Sequence, residues 1–269
     1  MNDIWVAPRF QRQVDKHIFM NDWYHHRRWP LMLIIHGPKG VGKSTQIRAA
    51  LSALKVECFD LSAGKLAGDE RVASDELSAV YERASRHIST KSPAAIVIDD
   101  LDLSILSRKD HTSYSQNTQL LTVTLMSLCD NPRKFFGVNV FRVPIIATAN
   151  EMSGFHAPLV RSGRAQIWNW VPSEQERLAI VATKFPFLTT SEQGRLDREF
   201  SRDHGFGLLD EIAHEAIFGI FEDNPALREL EHTEALNIAD EMLKTMKLRH
   251  FLEIGKTLLA ERSTYSHLR

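Results

Sequence analysis

Apolar positions along this chain come in two patterns. Up to about residue 170, short runs rich in β-branched side chains alternate with longer stretches in which apolar residues recur at helical spacing. The runs are Leu31–Ile35, Val56–Phe59, Ala94–Ile98, Val143–Ala147 and Ile167–Trp170. They carry little polar alternation, as parallel strands covered on both faces should. Strands separated by helical segments predict a doubly wound α/β fold with a parallel five-stranded sheet.

After Trp170 the pattern changes. Pro172-Ser173-Glu174-Gln175-Glu176 predicts a helix start, with Ser173 as N-cap and Glu176 three residues on to complete a capping box. Beyond it no run has the character of a strand. Ala226–Glu229, Ala235–Met246 and Leu248–Leu259 fit amphipathic helices, with breaks near Gly205-Phe206-Gly207 and Asn224-Pro225. The chain therefore divides into an α/β part, residues 1–171, and a small α-helical lid, residues 172–269.

Composition narrows the partners more than the fold. The 269 residues are 43% hydrophobic and 25% charged, enough apolar material for a sizeable core and a second small domain. A net charge of −1 gives no electrostatic footprint for nucleic acid or an anionic membrane. The start, MNDIWVAPRFQRQ, lacks the basic and apolar regions of a secretory signal, and no apolar run approaches the roughly 20 residues that span a bilayer. Cys58 and Cys129 lie far apart outside any CxxC pattern, so two reduced thiols in the cytoplasm, or in a plastid's reducing compartment, are expected. Adjacent His25 and His26 would point to different faces of either element, which argues against a metal site there.

The sharpest chemical signal is HGPKGVGKST, residues 36–45, between an apolar run and a helix-forming segment. Gly37, Gly42, Lys43 and Ser44 match the phosphate loop G-x-x-x-x-G-K-[ST]. Its glycines let the amides of Gly37, Pro38–Val41 (Pro38 itself excepted, having no N–H), Gly42 and the following residues curl around phosphate oxygens. Lys39, Gly40 and Thr45 belong to the same cradle. Lys43 can reach the β- and γ-phosphates of ATP, the Ser44 hydroxyl can ligate Mg²⁺, and the following helix turns its positive end to the same anion.

A site of this kind also needs carboxylates at the tip of a buried strand. AIVIDDLD, residues 95–102, supplies them: Asp99 to hold Mg²⁺ with Ser44, and Asp100 to polarise the attacking water, with Asp102 as the alternative for that role. The next strand, PIIATAN, ends at Asn150, a polar group placed to orient water and contact the γ-phosphate. APLVRSGRAQ follows, with Arg161 and Arg164. The order of phosphate loop, acidic strand tip, polar strand tip and paired arginines resembles the AAA+ P-loop NTPases. That class implies arginine fingers acting on a neighbouring subunit's γ-phosphate.

Longer stretches resemble the rubisco activase family. WVAPRF near the start, SAGKLAGDE at 62–70, RKDHTSYSQNTQLLTVTLMSLCDNP at 108–132 and RVPIIATANEMSGFHAPLVRSGRAQIWNW at 142–170 carry the likeness, the last most closely. A weaker likeness in GFGLLDE and HFLEIGKTLLAER extends it into the lid. The resemblance implies a hexameric ATP-driven remodeller of a protein client, rubisco, from which it releases inhibitory sugar phosphates. It puts the family's sensor Asn on Asn150, its paired arginines on Arg161 and Arg164, and pore loops around Lys65–Leu66 and Arg108–Tyr114. Three departures stand out. Asp210 falls about where a basic lid residue is expected, and Asp99 stands where activases usually have Asn. The plant-type N-terminal domain and redox tail are not seen in these 269 residues. Other readings are an activase-like motor with another client, a nucleic-acid-loading AAA+ protein, which the near-neutral charge disfavours, and a small-molecule kinase, which would not need Asn150 and the two arginines.

Overall fold

The five apolar runs become five strands: β1 (Met32–His36), β2 (Glu57–Ser62), β3 (Ala94–Asp99), β6 (Ile145–Ala149) and β7 (Ala165–Asn169). A two-residue hairpin, β4 (Lys134–Phe135) and β5 (Val138–Asn139), lies between β3 and β6 in sequence. The computed structural model describes residues 4–23, 29–62, 70–90, 92–105, 116–135 and 137–266. The five strands form one sheet in the order β2-β3-β6-β1-β7, every pair parallel. Both sides are covered, so β1, β3 and β6 are buried almost throughout, whereas edge strand β7 alternates. This is the α/β class that the strand runs predict. Strand ends move by up to three residues, the largest shift being the end of β2 from Phe59 to Ser62, as pairing rather than composition sets where a strand stops.

Helices α1 (Pro8–Trp23), α2 (Lys43–Ala53), α3 (Glu70–Ser89), α4 (Leu101–Ile105), α5 (Gln116–Asp130) and α6 (Ala157–Val160) complete this unit. Leu77, Val80 and Tyr81 of α3 and Leu121, Leu125 and Leu128 of α5 join Met32, Ile34, Ile96, Ile98 and Ile145 of the sheet in one core. Phe10 of α1 meets Trp170 and Trp168 edge-on, with ring centroids 4.9 and 5.3 Å away. Such pairs add about 0.5–1.5 kcal/mol beyond the area they bury.

Register decides function here. Ile98 of β3 and Ile34 of β1 both pair with Ala147 of β6. Asp99 is therefore level with Thr148, and the phosphate loop, the acidic run and Asn150 all leave the same carboxyl edge of the sheet. In an open α/β sheet that edge is where ligands bind.

Compact packing separates two units. One holds residues 6–39 and 43–171; the other gathers residue 172 onward with the chain start and Gly40–Gly42. The second unit is helical: α7 (Glu174–Lys184), α8 (Thr190–Leu196), α9 (Gly207–Asp223), α10 (His232–Thr245) and α11 (Leu248–Ser266). The capping box forms as the sequence predicts, with the Glu176 amide donating to Ser173 Oγ and the Ser173 amide to Glu176 Oε2. An unpredicted second box joins Thr189 and Glu192. A π-helical stretch, Asp197–Ser201, continues α8 and presents Phe200 to the core beside Phe185, Leu209, Ile212 and Phe251. Gly255 is needed there, because a Cβ on it would sit 2.4 Å from the Phe200 ring. The breaks fall where expected, at Gly205 with φ 78° and at Asn224.

One buried histidine gives the α/β unit an acid sensitivity. His17 of α1 is fully buried, and its ring hydrogen-bonds the backbone at Leu31 and Ile145. Burial pushes its pKa down from 6.5 to about 3. The folded state then binds fewer protons than the unfolded one, so stability is full above pH 6.5 and falls towards pH 3. By pH 5 the expected loss from this residue is about 2 kcal/mol. Chemical denaturation of wild type and His17→Leu at pH 7 and pH 5 checks it: the variant should lose less between the two.

Candidate active site

The phosphate loop is built from close approach and turning. Gly37 sits against the end of β7, where a Cβ would lie 2.1 Å from the Trp170 carbonyl oxygen, so no side chain fits. Gly40 and Gly42, both at φ 78°, turn the chain through a region that L side chains rarely adopt. Pro38, Lys39 and Gly40 are exposed, as is Thr45 in the first turn of α2. Lys43 opens that helix and is buried. Its Nζ donates to the carbonyls of Gly37 (2.8 Å) and Pro38 (2.9 Å) and to Asn150 Oδ1 (2.8 Å). Burial lowers its pKa, while Asp100 and Asp102 pull it back up.

The acidic run meets the loop from β3. Asp99 Oδ1 accepts from Ser44 Oγ at 2.5 Å and from Thr148 Oγ1 at 3.2 Å. Asp100 follows with φ 51°, a left-handed conformation that Asp tolerates better than most residues and that re-aims its carboxylate at the strand tip. Its amide donates to Thr148 Oγ1 (2.9 Å), and its Oδ1 accepts from Asn150 Nδ2 (3.3 Å). Asp102, in the first turn of α4, is buried, and its Oδ2 accepts from the Asn150 amide at 3.2 Å. Its Oδ1 is buried without a hydrogen-bond partner among the described residues. Lys43, Ser44, Asp99, Asp100 and Asn150, from three separate stretches of sequence, are thus joined through Thr148 in one connected polar network.

The two arginines after β6 are held differently. Arg164 makes a bidentate pair with Asp130, at 2.7 and 2.5 Å, and donates to the Pro158 carbonyl at 2.7 Å. That hydrogen bonding holds the Asp130 carboxyl below its usual range. Arg161 is exposed, and its guanidinium makes no hydrogen bond or ion pair among the described residues. Both line a cavity of about 910 Å³ with Arg133, Lys134 and Arg142. In the helical unit Asp210 lies in the first turn of α9 and pairs with Lys184. The pore-loop positions Lys65, Leu66, Arg108 and Tyr114, and also His25 and His26, lie outside the described residues.

Two participants escaped the sequence reading. Thr148 is fully buried and bonds both Asp99 and Asp100; its signal was a hydroxyl in an otherwise apolar strand. Arg48 reaches Asp99 from α2, and its signal was a position one helical turn after Ser44.

The residues fit a nucleoside triphosphate with Mg²⁺. A buried ammonium bonded only to neutral oxygens can take a phosphate, a serine hydroxyl touches a strand-tip carboxylate, and a buried carboxylate oxygen has capacity to spare. The class follows: this is a P-loop site on a parallel sheet. Residues 33–173 match the ATPase family associated with various cellular activities (AAA), and the chain belongs to that family.

The chain is also similar to proteins named ribulose bisphosphate carboxylase/oxygenase activase. It is 32% identical to one from Anabaena sp. over 226 residues, 79% of this chain and 51% of that protein. Against the chloroplastic form from Malus domestica it is 31% identical over 188 residues, 67% of this chain and 43% of the other. The Chlamydomonas reinhardtii form is 32% identical over 184 residues, 65% and 45%. The chain spans about half the length of the curated relatives it matches. Among the described residues no helix is long and apolar enough to cross a membrane.

Proposed function

We propose that this chain binds and hydrolyses ATP with Mg²⁺ and spends the energy remodelling a protein client, as a rubisco activase-like motor. The observation that carries the ATPase reading is the network joining Lys43, Asn150 and Asp100 at the carboxyl edge of the sheet. Lys43 and the loop amides of Gly37–Thr45 bind the phosphates. Ser44 and Asp99 hold Mg²⁺, which when bound neutralises charge on the β- and γ-phosphate oxygens. Asp100 takes the proton of the attacking water, and Asn150 orients that water while touching the γ-phosphate. Residues 1–171 serve as the nucleotide-binding part and 172–269 as the lid.

Asp102 is assigned a positioning role, since its carboxylate is buried against the Asn150 amide. Asp100→Asn should therefore keep nucleotide binding and lose turnover by about 10²–10⁴-fold, the usual worth of a general base. Asp102→Asn should act on the seating of Asn150 and cost less. Fluorescent-nucleotide binding and phosphate release, measured on both, check this; a more active Asp100→Asn than Asp102→Asn would reverse the roles.

The fingers imply a homo-oligomeric ring, a hexamer by resemblance. The client reading rests on the relatives' names and on identity of about 30% over most of the chain. Rubisco, freed of an inhibitory sugar phosphate, is the first client to test. Carboxylation by the sugar-phosphate-inhibited rubisco of the same organism should recover when this protein and ATP are added. Alanine at Lys65, Leu66 or Tyr114 should abolish recovery and leave basal ATP hydrolysis within about twofold, because pulling needs contacts that differ between nucleotide states. No recovery with an active oligomeric ATPase would assign the motor another client.

A further inference from the structure

Asp99 is already crowded before any metal is considered. Ser44 and Thr148 occupy its Oδ1, and Arg48 Nη2 lies 2.5 Å from its Oδ2. The same Nη2 is 2.6 Å from Asp60 Oδ1, within β2, and Arg48 Nη1 reaches the Ser44 carbonyl at 3.3 Å. Asp60 is about half exposed and Arg48 about two-fifths, whereas Asp99 is three-quarters covered. One guanidinium thus bridges an inner and an outer carboxylate. Arginine does not lose its proton, so the positive charge stays at this spot at every working pH. A carboxylate cannot give its full negative potential both to an arginine and to a divalent cation one ligand away.

We propose that Arg48 is a resident counter-ion that competes with Mg²⁺ for Asp99, and that Asp60 is the partner that keeps the arginine aside when the metal is bound. Arg48 and Asp60 are positioning residues in this arrangement, and together they set the metal concentration at which the site loads. The proposal deepens the Mg²⁺–nucleotide reading above and rests on it. Register supports the geometry: Ser62 of β2 pairs with Asp99, so Asp60 lies two residues back on the adjacent strand, on the same face. Arg48, one turn beyond Ser44 on α2, spans both.

The test is a Mn²⁺ titration, followed by electron paramagnetic resonance, of the full chain saturated with ADP. Wild type must first show one tight Mn²⁺ per bound ADP; without it the metal–nucleotide reading itself fails. Arg48→Met should tighten Mn²⁺ binding by about tenfold, the size of effect expected for removing one nearby like charge. Asp60→Asn should weaken it by several-fold, because the arginine is then left to Asp99 alone. Arg48→Lys, which keeps the charge, should stay nearer wild type than Arg48→Met. In the Arg48→Met background, Asp60→Asn should change little, since Asp60 acts through the arginine. Melting temperatures identify any variant that fails to fold, and Arg48→Lys then carries the charge comparison. Two single variants that both weaken Mn²⁺ binding, or an Asp60→Asn effect that persists without Arg48, would overturn the proposal in favour of a purely structural bridge.

Discussion

Lys43→Ala is expected to bind ATP at least a hundredfold more weakly than wild type and to show no measurable hydrolysis. The physical reason lies in the three oxygens that hold Nζ: the carbonyls of Gly37 and Pro38 and the amide oxygen of Asn150. None carries a formal charge, and Asp100 and Asp102 act on the ammonium only at longer range, so no carboxylate is bonded directly to Nζ in the loop. Against a phosphate in a partly desolvated site, one such donor is worth about 10²–10³ in rate, and more where it also anchors the ground state. Removal also frees Asn150 Oδ1, so the side chain assigned to water would lose its seat. Calorimetric titration with ATP and a phosphate-release assay measure both losses. Normal turnover in Lys43→Ala would refute the site assignment altogether.

The second large effect concerns the arginines, which the sequence presents as equals and the structure does not. Arg161→Ala should cut hydrolysis by about 10³-fold or more, the worth of an arginine finger, while leaving the melting temperature within experimental scatter. Its guanidinium makes no hydrogen bond or ion pair among the described residues and acts on Asp130 only through its charge, so its removal breaks no bond described there. Arg164→Ala removes a bidentate pair with Asp130 and a bond to the Pro158 carbonyl. It should lower both activity and stability, by about 1 kcal/mol for a pair that is partly exposed. Arg164→Lys should restore little, because one ammonium cannot reproduce the fork. Mixing Arg161→Ala with Lys43→Ala subunits then tests action between subunits. Some activity should return, since a mixed interface can join an intact phosphate loop to an intact arginine. Hydrolysis that stays independent of protein concentration down to a monomer would count against shared sites.

Asn150 shows how sequence order and tertiary placement divide the information. An asparagine after an apolar run is ordinarily a turn residue, and only its place behind the phosphate loop and the acidic strand marked it out. Its contacts with Lys43, Asp100 and the Asp102 carboxylate come from chain segments 48 to 107 residues away. No local pattern encodes those. The register of β6 against β1 and β3 does, and register is settled by which faces can be buried together.

The sequence by itself determined whatever depends on local chemistry. Unbroken apolar runs marked the buried parallel strands, the glycines from Gly37 to Gly42 the tight turn into α2, and Ser173 with Glu176 the start of a helix, because strand burial, backbone turning and capping each act over a few residues. Tertiary structure alone decided matters of approach between distant segments. It buried Asp102 and left Asp100 half open, although both stand in one acidic run. It tied Arg164 to Asp130 and left Arg161 free among the described residues. It also brought Arg48 and Asp60 onto Asp99, a meeting of three elements whose pairing energy exists only once β2, β3 and α2 lie side by side. A charged side chain's role depends on which other charges stand within a few ångströms, and only folding sets those distances.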